Sequence, residues 1–274
     1  MNRQRTSSIL LLGLCCGILL SFAYINPYSN KLTFAELVLQ LSGSRGDLPL
    51  GLSLSELLTF NVKFIPYFLF ELLVGTSLYR HFCTASVYIF SRTPNRILWY
   101  LRECSVILAF SLIYQIVLII SSYAVTCYRY EVVWNYSGFV LMLIHITLYG
   151  LWLFSMTLLI NIISLLLGSE ISFTITLGGQ AAMIALLAFL KIFEFNYKLF
   201  SIAANVNPIS HLVVGWQSCN IECINNIVLP NEIAIPLWFS FLYVFLISLV
   251  ILIIGGVIIQ KRDIITTDSE FGGI

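Results

Sequence analysis

Charge is the scarcest commodity in this chain. Of its 274 residues only 10% are Asp, Glu, Lys or Arg, whereas 59% are hydrophobic, and the mean hydropathy is +0.95. So few charges cannot cover the surface of a soluble domain. The net charge of +1 leaves no basic face to displace phosphate counterions, which excludes nucleic acid as a partner. There is no Gly-x-x-x-x-Gly-Lys-Ser/Thr loop, so nucleotide is not bound that way. Nor is there a His-Glu-x-x-His pattern, and His81, His145 and His211 fall at different levels of a bilayer, which leaves no metal-ligand set. Glu71 and Glu170 stand alone, without the paired acids of a glutamate protease. Ser155 and His145 share one apolar run but lie about 15 Å apart along a helix, too far to act as a serine-protease pair. An intramembrane enzyme is therefore a disfavoured alternative, and no catalytic residue is assigned. A membrane sensor or an immunity protein acting by sequestration is a further alternative.

What the chain has is apolar length. Runs at about 7–24, 60–79, 105–127, 138–167, 171–190 and 236–259 each suffice to cross a bilayer, predicting one all-α transmembrane domain over 1–274 with six spans. No room remains for a further soluble domain of ordinary size, so an energy-coupling domain is expected on another chain. Arg3 and Arg5 before the first run also suit a secretory signal, but the run is long for one and Asn26-Pro27-Tyr28 is a poor cleavage site; a retained helix is expected. Placing the amino terminus inside gives the cytoplasmic side Arg3, Arg5, Arg80, Arg92, Arg96, Arg102, Lys261 and Arg262, so both termini are expected there.

Three connections carry information. The stretch 80–103 is the only sizeable basic one, and Thr93-Pro94 suits a helix start. From there Ile97, Leu98 and Leu101 would face the membrane or bundle, while Arg92, Asn95, Arg96, Arg102 and Glu103 face water. This reads either as a coupling element that docks into a partner or as an inner loop obeying the positive-inside rule. On the outside, 26–59 contains a short amphipathic helix at 34–39. The other outer connection, 196–235, contains the apolar segment 209–216, too short to span, opening with Asn207-Pro208 and expected to be re-entrant.

Glu71 lies midway along the second span, where an ionisable group costs several kcal/mol unless it is paired or faces water. It either lines a substrate path with Tyr67 and Gln180 or fixes helix packing, with Tyr67, one turn away, as its partner. His145, Gln115, Asn161 and Gln180 are the other polar groups inside spans, each suited to an interhelical hydrogen bond. Gly178, Gly179 and Ala182 form a small-residue patch for a dimer seam or for packing within the chain. Of the seven cysteines, Cys219 and Cys223 lie in the outer connection, where a local disulfide requires a non-helical turn.

Six spans, the basic helical connection, the segment opening with Asn207-Pro208, and the ending Gly255-Gly256-Val257-Ile258-Ile259-Gln260-Lys261-Arg262-Asp263 together resemble ABC-2-type transporter permeases. In particular, the chain is similar to small bacterial permeases for export of, or immunity to, antimicrobial and amphipathic peptides. The resemblance implies a subunit of the bacterial cell membrane that pairs with a second copy or a homologous permease and binds two copies of a separate ATPase carrying the ATP and Mg. It implies no cofactor on this chain. It also implies that Arg92, Arg96, Arg102 and Glu103 belong to the helix entering the ATPase groove, and that the re-entrant segment forms part of an outer gate. The short amino terminus departs from the amphipathic helix many relatives place before the first span.

Overall fold

A computed structural model gives the structure, described for residues 3–27, 30–42, 54–83, 95–192, 197–218 and 235–261, with backbone alone at 3, 54–60, 188–192 and 197–201. The helices are α1 (Arg3–Tyr24), α2 (Phe34–Leu41), α3 (Leu54–Val74), α4 (77–83), α5 (Arg96–Arg129), α6 (Tyr136–Leu167), α7 (Ser169–Ile192), α8 (Tyr197–Val206) and α9 (Leu237–Lys261). Six helical stretches among the described residues are long and apolar enough to cross a membrane, with α3 and α4 together making the second. Arg92 and Thr93-Pro94, Cys219 with Cys223, and Arg262-Asp263 lie outside the described residues.

The most apolar surroundings fall to α6, whose spanning window is 72% buried, against 22% for α9 and 28% for α7. Trp152, Leu148 and Leu153 of α6 are fully buried, so α6 is the post around which the other helices pack. Against α5 lies α1, at very short range, because Gly13 and Gly17 have no side chain to hold the backbones apart. Along that seam Ser122 Oγ donates to the Gly17 carbonyl at 2.8 Å, Ser21 and Thr126 share a hydrogen bond at 2.9 Å, and Arg129 Nη1 donates to the Ser21 carbonyl at 3.0 Å.

The second span is not one helix. It turns at Gly75-Thr76, where Gly75 N–H still reaches the Glu71 carbonyl at 2.6 Å, and restarts at 77. A restart leaves amide donors with no partner in the preceding turn. Asn161 of α6 supplies one, its Oδ1 accepting from Leu78 N–H at 2.8 Å and Tyr79 N–H at 3.0 Å while its Nδ2 donates to the Thr157 carbonyl at 2.8 Å. Pro66 makes a second irregularity, and its carbonyl accepts from the Tyr114 hydroxyl at 2.7 Å.

One connection differs in part from the sequence expectation. The third span and residues 96–103 of the basic stretch before it form one continuous helix, α5, of 34 residues. No separate interfacial helix precedes it within the described residues; the cap is Asn95, whose Oδ1 accepts from Leu98 N–H at 3.1 Å. Ahead of the second span, a short helix does form where one was expected at 34–39: it is α2, opened by a capping box between Thr33 and Glu36, with its apolar side chains buried. Phe34 stacks on Trp134 at 4.6 Å, and Ala35 N–H donates to Asn135 Oδ1 at 3.2 Å. A parallel two-stranded pair, β1 (Lys31–Thr33) with β2 (Glu131–Val133), joins these connections, and Lys31 and Glu131 pair at 3.1 Å on its exposed edge.

Candidate functional site: a polar seam inside the bundle

Helical spacing puts Phe64, Tyr67, Glu71 and Gly75 on one stripe of α3 and the turn after it, and His145, Tyr149 and Trp152 on one stripe of α6. These two stripes meet. Tyr67 stacks on Tyr149 with centroids 5.0 Å apart, Tyr149 stacks on His145 at 4.2 Å, and Phe64 meets Tyr67 edge-on at 5.5 Å. The aromatic column ends at Ser42, whose carbonyl accepts from the Tyr149 hydroxyl at 3.2 Å, so α2 closes this end of the seam.

One turn along, three helices contribute to a single chain of hydrogen bonds. Trp152 Nε1 of α6 donates to Gln180 Oε1 of α7 at 3.1 Å, and Gln180 Nε2 donates to Glu71 Oε2 of α3 at 2.7 Å. The indole can only donate, which fixes the amide orientation and turns the Gln180 N–H toward the carboxyl. Glu71 and Trp152 are fully buried and Gln180 nearly so. Of the three residues the sequence groups on one path, Tyr67, Glu71 and Gln180, the structure joins Glu71 and Gln180 by an interhelical hydrogen bond. Sequence reasoning missed Trp152, for which an isolated tryptophan in an apolar run gives no signal. Tyr67 is not hydrogen-bonded to Glu71; its ring belongs to the aromatic column. Glu71 Oε1, both ring nitrogens of His145, both amide atoms of Gln115, and the hydroxyls of Thr157 and Thr176 are buried without a hydrogen-bond partner among the described residues.

At the end of the bundle holding the start of α5, His81 Nδ1 lies 3.1 Å from Glu103 Oε1, and Arg5 is attracted to Glu103 and repelled by Arg80. Glu103 is thus a tie between α4 and α5. Leu98 is 67% exposed beside Arg96, with Ile97, Leu101 and Arg102 also exposed or partly so.

The segment after α8 is built as expected at its start. Asn207 Oδ1 accepts from Ile209 N–H at 2.9 Å and its Nδ2 donates to the Met183 carbonyl at 2.8 Å, which pins the Asn207-Pro208 turn to α7. Two 3₁₀ turns follow, Ser210–Leu212 and Val214–Trp216, and their side chains are mostly buried. His211 stacks on Tyr243 of α9 at 4.3 Å, places Nδ1 3.1 Å from Ser240 Oγ, and donates from Nε2 to the Asn205 carbonyl at 3.0 Å. Burial holds its pKa below the usual 6.5, opposed by the Asn205 carbonyl.

Gly178 and Gly179 face open space, since a side chain added at either would meet nothing within 4 Å, and Ala182 is exposed one turn on. Packing among the described residues therefore does not account for the patch. Ser155, weighed as a nucleophile, donates to the Leu151 carbonyl at 2.8 Å and shares a 2.6 Å hydrogen bond with Ser248 of α9. Among the described residues no group of three His, Cys, Asp or Glu side chains gathers to hold a metal. No protein-family model matches the chain, and no curated protein and no solved structure matches it either.

Proposed function

We propose that this chain is the membrane-spanning permease half of an ATP-driven exporter of an amphipathic substrate such as a peptide, serving antimicrobial-peptide export or immunity in a bacterial cell membrane. A separate ATPase chain, with its own ATP and Mg, supplies the energy, and a second permease copy completes the path. The observation that carries the reading is the form of α5. At about 1.5 Å per residue its 34 residues extend about 51 Å, well beyond the roughly 30 Å hydrocarbon core. The surplus includes the turns from Arg96 to Glu103, where exposed leucine and isoleucine sit among arginines. Because the helix is unbroken, a push on those turns moves the whole span as one body. The Glu103 to His81 pair would pass the same displacement to α4, and through the Gly75-Thr76 turn to α3 and Glu71.

The decisive experiment is reconstitution with the ATPase that co-purifies with the chain. Arg96→Glu and Arg102→Glu should leave membrane insertion intact, keep ATP hydrolysis, and abolish export coupled to it. A chain that is stable and active alone, or one whose export survives both reversals, overturns the reading.

A further inference from the structure

Hydroxyl groups inside an apolar helix normally return their proton to the carbonyl one turn back. Thr126, Thr147, Ser155, Ser164, Thr174 and Ser248 all do so here, at distances of 2.7–3.0 Å. Thr157 and Thr176 do not. Both are buried, at 0% and 4% exposure, and neither hydroxyl has a partner among the described residues. The same is true of Glu71 Oε1.

Helical spacing puts these three residues on the faces of α3, α6 and α7 that meet around Gly75. Thr176 lies on α7 between Gln180, which holds Glu71, and Phe173, which abuts Gly75 at the turn after α3. Thr157 lies on α6 one turn before Asn161, which caps the restart of the second span, and Ile160 beside it also abuts Gly75. The interruption leaves carbonyls at the end of α3 without helical partners, and the negative end of that helix dipole points to the same turn. Broken helices of this kind bind cations at their carbonyl ends inside membranes. One carboxylate, two hydroxyls and orphan carbonyls form a hard, all-oxygen donor set.

We propose that Glu71, Thr157 and Thr176 form a site for a single monovalent metal cation of the sodium class at the interruption of the second span. The charge count selects the class. Among the described residues Glu71 is the carboxylate at the turn and makes no ion pair, and one positive charge neutralises it. A divalent ion would leave uncompensated charge in an apolar bundle. Burial selects the size, since Glu71 is 0% exposed and no peptide amine or lipid headgroup reaches it in this arrangement. Among the described residues Gln180 is the side chain that acts on the Glu71 carboxyl, and no charged group does. The site requires no ATPase and stands or falls apart from the transport reading.

The test uses the full chain in lipid nanodiscs at fixed pH. A membrane-permeant carbodiimide modifies Glu71, and the modified fraction is read by peptide mass spectrometry. Sodium at about ten times its dissociation constant should slow modification roughly tenfold, whereas choline at equal ionic strength should not. Sodium should also raise Tm relative to choline in the wild type. Glu71→Gln should lose that rise while retaining the fold, and Thr157→Val with Thr176→Val should require higher sodium for the same protection. Protection that depends on pH alone, with sodium and choline alike, overturns the metal site in favour of a proton. Modification and Tm indifferent to sodium, or a sodium response that survives Glu71→Gln, overturns it outright.

Discussion

At the scale of single residues, the interior is governed by a few side chains that repair what the backbone leaves open. Asn161 is the clearest. Replacing it with Ala removes the acceptor for two buried amide groups, each of which costs about 1–3 kcal/mol when left unmade. Asn161→Ala should lower thermal stability in detergent by that order and raise hydrogen exchange at Leu78 and Tyr79, while Asn161→Asp, which keeps the acceptor oxygen, should lose less. The glycines divide just as sharply. A methyl group at Gly17 would overlap Ser121 Oγ and the Leu118 carbonyl, so Gly17→Ala should force α1 from α5 and cost about 1–3 kcal/mol in a denaturant or thermal melt. Gly178→Ala meets open space and should leave the melting of a single copy unchanged or slightly improved. Composition marked both glycines as small residues in apolar runs; only the helix partners tell them apart.

At the scale of elements, hydropathy located the spans because a helix crossing lipid must be apolar over its whole length, and α1, α6, α7 and α9 begin and end within a few residues of the apolar runs. What hydropathy could not supply is continuity. The polar turns from Arg96 to Glu103 look like a loop element because charge replaces the apolar pattern, yet nothing between Asn95 and Arg129 breaks a helix, and α5 runs through. Conversely, the turn at Gly75-Thr76 leaves no trace in hydropathy, since it is stabilised by Asn161 from a distant part of the chain. The Asn207-Pro208 segment was legible for a local reason, an Asx turn that Pro permits, and its depth of burial was not. Its stability should depend on pH through His211. With the folded pKa below 6.5, the unfolded segment binds a proton first as pH falls. The stabilisation is complete above the unfolded value, declines below it, and is lost as pH passes the folded value. Hydrogen exchange over 209–217 should therefore accelerate as pH falls below 6.5, after correction for intrinsic rates, and His211→Gln should flatten that response.

At the scale of the whole molecule, the bundle is lopsided. The spanning window of α6 is mostly enclosed, whereas those of α7 and α9 are mostly bare, and the bare side of α7 carries Thr174, Gly178 and Ala182 one turn apart. Lipid can cover any apolar helix, but it has no preference for a small-residue stripe. Close approach of another helix does, because van der Waals contact and main-chain proximity are gained only where side chains are absent. The proposed second permease copy would seat there, and a two-fold axis would then bring each α7 against its own image. Cysteine at Ala182, on a background with the native cysteines replaced, should crosslink two copies in native membranes at high yield. Cysteine at Ile184, on the buried side of α7, should not. Gly178→Leu should abolish the crosslink at 182 and shift the purified protein to a single copy, with the Tm of that copy preserved, because the side chain meets nothing in its own chain. Crosslinking unaffected by Gly178→Leu would place the second copy elsewhere and leave the stripe to lipid.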